Sequence, residues 1–253
     1  MAKLTDYRLL SFDCYGTLVD WETGILTNLQ PLLSRAPSSA SLPKSKILEI
    51  YHTLEKTQQT KTPDMPYSQL LTTIYPQFAS EIGIKDPPTA QESQTFGHSI
   101  GTWPAFPDTV DALRRLSKHY KLVILSNVDR QSFRASNAGS LGGVQFDKII
   151  TAQDVGSYKP DLRNFEYMLK SVKEEFGVEK GEVLQTAQSQ FHDHHPAREM
   201  GIKSVWIERG GTMGNDEEEV YDWKFETLGD MADAVEREFE GNVTAKSVKP
   251  PIT

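Results

Sequence analysis

Asp13 stands between a short apolar run, Leu9-Leu10-Ser11-Phe12, and a turn through Gly16. A strand of that kind delivers its carboxylate to the carboxyl edge of an α/β sheet, where such sheets bind ligands. A carboxylate placed there can attack a substrate and form a covalent intermediate, splitting a hard displacement into two easier steps. Aspartate also serves as an ordinary turn cap, so the chemical reading depends on companions. Ser126 and Asn127 follow the run Leu122-Val123-Ile124-Leu125. Lys159 lies in Gly156-Ser157-Tyr158-Lys159-Pro160-Asp161, and Asp193 follows a fourth apolar run. Each alone has a bland reading as turn or surface, but all four fall after strand-like runs. In the chemical reading Asp13 is the nucleophile. Lys159 keeps it ionised and neutralises charge that builds in the transition state. Ser126 and Asn127 bind an anionic substrate group, Thr17 orients Asp13 across the Gly16 turn, and Asp193 anchors Lys159 or positions a water.

The elements that must hold these residues follow from the apolar pattern. Residues 8–12, 121–125, 148–151, 183–186 and 203–207 read as buried parallel strands. Val110, Leu113 and Leu116 repeat at helical spacing behind Asp108, a good N-cap. Phe165, Met168, Leu169, Val172 and Phe176 form a second stripe. Strands alternating with helices imply an α/β class: a Rossmann-like, doubly wound parallel sheet. Residues 21–103 break the alternation. Ile47, Ile50, Tyr51 and Leu54 fit one amphipathic helix, and Leu70, Leu71, Ile74, Tyr75 and Phe78 fit another. Residues 36–41, rich in Ser, Ala and Pro, read as a loop. The expected division is a core of residues 1–20 and 104–253 with an inserted helical cap domain of residues 21–103. A cap suits chemistry that excludes water. The tail from Thr227 to Phe239 carries Leu228, Met231, Ala232 and Val235 at helical spacing, and the last dozen residues, with Pro250 and Pro251, read as frayed. Gly210 and Gly211 read as a turn.

Composition narrows the partners. A net charge of −8 with no basic run argues against nucleic acid. The lone cysteine, Cys14, forms no internal disulfide and suits a reducing compartment. The first residues lack a signal-peptide core, and no apolar run approaches the roughly 20 residues that span a bilayer. The expectation is a cytoplasmic protein acting on a small molecule, with no nucleic-acid or membrane partner. Alternation turns the Cys14 side chain away from that of Asp13, into the core. Trp21, Trp103, Phe106 and Trp206 read as core or hinge packing. The run His192-Asp193-His194-His195 invites a metal reading, but adjacent loop residues rarely all face one ion, and Asp193 alone is expected in the site.

In these motifs the chain resembles the haloacid dehalogenase superfamily, in its type II L-2-haloacid dehalogenase branch. The matching pieces are Phe12-Asp13-Cys14-Tyr15-Gly16-Thr17-Leu18, Leu125-Ser126-Asn127, Tyr158-Lys159-Pro160-Asp161, and Asp193 with Ala197, Gly201 and Trp206-Ile207-Glu208-Arg209. The resemblance covers nearly the whole chain. It implies an ester intermediate on the aspartate, hydrolysed by water, and a small 2-halo acid or related organic acid as substrate. Relatives are often dimers, which makes a homodimer possible. Superfamily phosphatases carry a second aspartate where this chain has Tyr15, and a magnesium-binding aspartate where it has Gln188. Both losses favour a reaction without cofactor, with a Mg2+-dependent phosphatase as the first alternative and a catalytically weak binding protein as the second. The resemblance also nominates pocket positions at which this chain departs from the family: His52 for a halide-binding arginine, Phe165 for a tyrosine, Gln190 for an asparagine and His192 for a tryptophan. Tyr15, Asn127, His52, Gln190 and Phe165 are accordingly the candidate substrate contacts.

Overall fold

The computed structural model describes residues 2–35, 42–210 and 218–247. The loop expected at 36–41, Gly211, Pro250 and Pro251 fall outside them. Five runs of apolar residues form strands at the expected places: β1 (Leu9–Phe12), β2 (Lys121–Ser126), β3 (Lys148–Thr151), β4 (Val183–Ala187) and β5 (Lys203–Ile207). A sixth strand, β6 (Trp223–Phe225), joins the edge beside β5. Its three residues alternate too briefly to be seen as a strand in the sequence. All neighbours are parallel, in the order β3-β2-β1-β4-β5-β6. Both faces are covered, as a parallel sheet requires. Leu10, Phe12, Leu122, Ile124, Leu184 and Val205 belong to one apolar layer, while Leu9, Val123, Leu125 and Val183 belong to the other.

Helices occupy the crossovers. Helix α5 (Thr109–Leu116) and the last helix bury Ala112, Leu113, Leu116, Leu228, Met231 and Val235 in the first layer. Helices α6 (Arg130–Ala138), α7 (Ala152–Val155), α8 (Arg163–Phe176) and α9 (His195–Glu199) follow β2, β3 and β4, and α8 brings Phe165, Met168 and Val172 into the second layer. The last helix, α10, runs Leu228–Ser247, so residues 242–247 of the stretch expected to fray are helical, and the rest of that stretch lies outside the described residues. Asp108 precedes α5, but its carboxylate does not cap that helix. It accepts from Arg209 Nη1 at 2.5 Å and from the Gly229 N–H at 3.0 Å, and its own backbone is already helical, at φ −85° and ψ −19°, rather than in the extended region of a capping residue.

Between β1 and α5 the chain forms α1 (Trp21–Leu33), α2 (Lys44–Lys61), α3 (Tyr67–Glu81) and α4 (Ala90–Gly97). The two helical stripes read from the sequence lie in α2 and α3. Asp20 caps α1 by accepting from the Thr23 N–H, and Thr89 caps α4 in a reciprocal box with Glu92. Outgoing and returning chains run side by side: Asp20 N donates to Pro104 O, Phe106 N donates to Leu18 O, and Val19 bridges Ala105. Gly24 admits the Trp103 ring, since a Cβ there would fall 2.3 Å from Trp103 Cγ.

Candidate active site

Strand order places Asp13 at the carboxyl end of β1, where β2 lies on one side and β4 on the other. That is the switch point at which doubly wound sheets open a crevice. After Asp13 the chain turns through Gly16, whose φ of +97° lies in a region that suits glycine. A Cβ at Gly16 would also press on Trp21 Nε1 at 3.3 Å. The turn brings Thr17 back toward its own strand. Thr17 Oγ1 donates to Asp13 Oδ2 at 3.0 Å and accepts from the Gln188 N–H at 2.9 Å, so the hydroxyl has one orientation.

Lys159 reaches the same point from the loop after α7. Its ammonium has three partners: Asp13 Oδ1 at 3.0 Å, Asp193 Oδ1 at 2.6 Å and Leu125 O at 2.8 Å. All three donors are spent, and the side chain is 1% exposed. Burial works against the charge, but Asp13 and then Asp193 outweigh it and hold the lysine pKa above its ordinary value. Asp193 sits on a single turn of π helix, Gln190–His194. Burial pushes its carboxyl up to about 7, Lys159 opposes, and the Asp13 charge adds. Gln185 Nε2 also donates to Asp193 Oδ1 at 2.9 Å, while Oδ2 is buried with no hydrogen-bond partner among the described residues.

Asp13, Thr17, Lys159 and Asp193 are therefore brought together by direct hydrogen bonds. Ser126 ends β2 beside them, with a buried hydroxyl that has no partner among the described residues. Asn127 takes a different place from the one expected. Its amide clasps the Lys159 backbone, Nδ2 donating to Lys159 O at 3.0 Å and Oδ1 accepting from Lys159 N at 2.7 Å. These two bonds fix the backbone of the lysine.

The candidate pocket residues divide. Tyr15 bonds Ser136 through its hydroxyl at 2.9 Å and meets the Trp103 ring edge-on. His52, on α2, lies 3.5 Å from Glu55 Oε2 with its side chain 42% exposed. Phe165 does not line the site: it is fully buried in the apolar layer between α8 and the sheet, because the helical stripe that contains it faces β1 and β2. Gln190 is also fully buried, its Oε1 accepting from the Val220 N–H at 2.9 Å. It ties the loop ahead of β6 to the π turn, while its Nε2 is buried with no hydrogen-bond partner among the described residues.

His192 faces the site, and burial followed by the Lys159 charge lowers its pKa to about 4, so it is neutral at pH 7. The charges of Asp13 and Glu55 oppose that lowering, and His52 adds to it. The sequence reading named His52 and His192 as pocket positions but did not single out Glu55. Glu55 accepts hydrogen bonds from both Tyr51 and Tyr67, and Tyr51 faces the Trp21 ring at 6.0 Å. A helical stripe with one acidic residue reads as an ordinary amphipathic face, so no signal marked Glu55. A cleft of about 230 Å³ opens beside Gly16 and Gln188, lined also by Trp21, Phe106, Lys44 and Arg209. Trp21 and Phe106 are thus cleft walls, whereas Trp103 and Trp206 are core. Cys14 is buried in the first layer, where burial and then the Asp13 charge push its thiol well up.

The three histidines of the 192–195 run diverge. His192 Nδ1 meets Ser189 Oγ, His194 lies between Ser204 Oγ and Ala187 O, and His195 Nε2 meets Glu218 O. Among the described residues no three His, Cys, Asp or Glu side chains converge as metal ligands. A magnesium ion, which the wider superfamily implies, fits the donor set poorly. Asp13 and Asp193 already share one ammonium, and Tyr15 and Gln188 supply no further anionic oxygen.

The haloacid dehalogenase-like hydrolase family model matches residues 7–184. The chain is 32% identical over 126 residues to the (S)-2-haloacid dehalogenase of Pseudomonas sp. strain YL, a match that spans 49% of this chain and only 51% of that protein. It is 26% identical over 209 residues to (S)-2-haloacid dehalogenase 4A of Burkholderia cepacia, covering 81% and 84%. Its fold is similar to that of L-2-haloacid dehalogenase from Xanthobacter autotrophicus with chloropropionic acid covalently bound, with a TM-score of 0.73 at 18% identity over 91% of this chain and 98% of that one. No described helix is long and apolar enough to cross a membrane. The chain belongs to the haloacid dehalogenase-like hydrolase family.

Proposed function

We propose that the protein hydrolyses a small 2-halo acid or related organic acid through an ester on Asp13, without a divalent metal. The observation that carries this reading is the Lys159 ammonium held between Asp13 and Asp193 with Thr17 on the other Asp13 oxygen. Such a carboxylate is fixed in orientation, with a positive charge against one oxygen and a hydroxyl against the other. In the first step an Asp13 oxygen attacks the carbon bearing the leaving group. The new C–O bond forms as the carbon–halogen bond breaks, and halide departs with the bonding pair. In the second step water attacks Asp13 Cγ, releasing the 2-hydroxy acid, regenerating the carboxylate and freeing a proton. The ammonium stabilises the negative charge of the tetrahedral intermediate.

Residues 21–103 serve as a cap in this reading. Tyr51, Glu55 and Tyr67, joined by hydrogen bonds across α2 and α3, belong to that cap, which restricts the entry of water. The test is turnover of a panel of 2-halo acids and phosphomonoesters, each with excess chelator and with added magnesium. Halide release that survives chelation is the expected result. Turnover confined to phosphate esters, stopped by chelator and restored by magnesium, would replace this reading with the phosphatase one.

A further inference from the structure

Arg209 lies just past the end of β5 and takes no direct part in the chemistry above. It is the one described non-glycine residue with positive φ, at +54°. That region disfavours a bulky side chain and persists only where the surroundings hold it. Here the surroundings do. The guanidinium side chain is 4% exposed. Its Nε donates to Thr17 O at 3.0 Å, Nη1 to Asp108 Oδ1 at 2.5 Å and Nη2 to Thr109 Oγ1 at 3.2 Å. The group also lies over the Phe106 ring, 4.2 Å from its centroid. Thr109 Oγ1 in turn donates to Leu18 O at 3.1 Å, and Asp108 accepts from Gly229 N at the start of α10.

The arginine therefore grips two segments at once. One is the turn after the nucleophile, through the carbonyl of Thr17. The other is the returning chain at Phe106, Asp108 and Thr109, which runs beside that turn. Thr17 contacts the carboxylate directly, and a carbonyl held from below restricts the backbone that aims its hydroxyl. We propose that Arg209 is a positioning residue for the nucleophile, acting through the Thr17 carbonyl to hold the Thr17 hydroxyl on Asp13 Oδ2. The inference rests on the reading of Asp13 as nucleophile. An arginine suits the task because its planar fork makes three directed bonds at once, which an ammonium cannot reproduce with the same geometry.

A double-mutant cycle with Arg209→Met, Thr17→Val and the pair tests the proposal, with 2-chloropropionate as substrate. Arg209→Met should lower kcat by about 10-fold, the scale on which small misplacement of a reacting group costs rate, with KM changed by less than about 2-fold. In the Thr17→Val background the same substitution should cost less than about 2-fold further, because coupled residues are not additive. The second readout needs no substrate: the Asp13 13Cγ resonance, assigned by its loss in Asp13→Asn. It should move in Arg209→Met in the direction it moves in Thr17→Val, and no further in the double variant. Additive losses in kcat, or an Asp13 resonance that Arg209→Met leaves in place, would overturn the proposal. If the parent enzyme turns over no 2-halo acid, the substrate reading fails by itself and the resonance decides for Arg209. Should Arg209→Met not fold, Arg209→Lys, which keeps a charge for Asp108 but cannot also span to Thr17 O and Thr109, goes through the same cycle with the same expected outcomes.

Discussion

At the scale of the residue, the site is organised around one ammonium. Lys159 donates to two carboxylates and a strand carbonyl, and Asn127 holds its backbone on both sides. A compact cation with three spent donors is not interchangeable with a planar one. Lys159→Ala should reduce kcat by about 10²-fold or more, as expected for loss of a preorganised stabilising group. Lys159→Arg should recover little of that, although it restores the charge. Steady-state kinetics on the best substrate from the panel read both. A Lys159→Ala enzyme with parental kcat would show that the ammonium serves folding alone. The same contacts show which placements were visible beforehand. Asp13, Thr17, Lys159 and Asp193 could be read because each follows an apolar run, and parallel strands bring such positions to one edge. The clasp of Asn127 on the Lys159 backbone was not legible, since a polar residue after a strand can face a ligand or a neighbouring backbone with equal ease.

At the scale of the element, the π turn Gln190–His194 does the least ordinary work. It turns Asp193 toward Lys159 and His194 into the protein, where the ring is fully buried. His194 Nε2 faces Ala187 O at 3.0 Å, which requires a hydrogen on that nitrogen, leaving Nδ1 to accept from Ser204 Oγ at 2.9 Å. The ring is neutral, and burial lowers its pKa to about 4. The folded state thus resists a proton that the unfolded chain accepts near pH 6.5. Stability from this group is complete above that pH and falls as pH drops from about 6.5 toward 4. Between pH 7.5 and 5.0 the loss is about 2 kcal/mol from His194 by linkage. Urea unfolding at the two pH values should show it, and His194→Gln should show a drop smaller by about that amount. An unchanged pH dependence in the variant would mean that the turn opens to admit the proton. Helical periodicity foretold α2 and α3, but neither the π turn nor β6 carries a repeat long enough to register.

At the scale of the whole molecule, the sheet, the helical insertion and the returning chain meet at one place. The alternation of apolar runs and helical stripes contained the parallel sheet and the position of the insertion. It did not contain which helix faces the strand ends, because Tyr51, Glu55 and Tyr67 lie on α2 and α3 and meet only when the two helices pack. Nor did it separate Phe165 from the site, since a position counted along the chain from Lys159 says nothing of which side of α8 it occupies. The helical insertion brings one carboxylate and two phenols together, apart from the Asp13–Lys159–Asp193 cluster at the strand ends. That machinery is the central claim, and isotope transfer tests it most directly. With enzyme in excess over a 2-halo acid, one turnover in 18O-labelled water should place the label in the Asp13 carboxylate, found by mass spectrometry of the peptide that contains it, while the first hydroxy acid released carries unlabelled oxygen from Asp13. Label in the product hydroxyl after that single turnover, with none in Asp13, would mean that water attacks the substrate directly and would contradict the account.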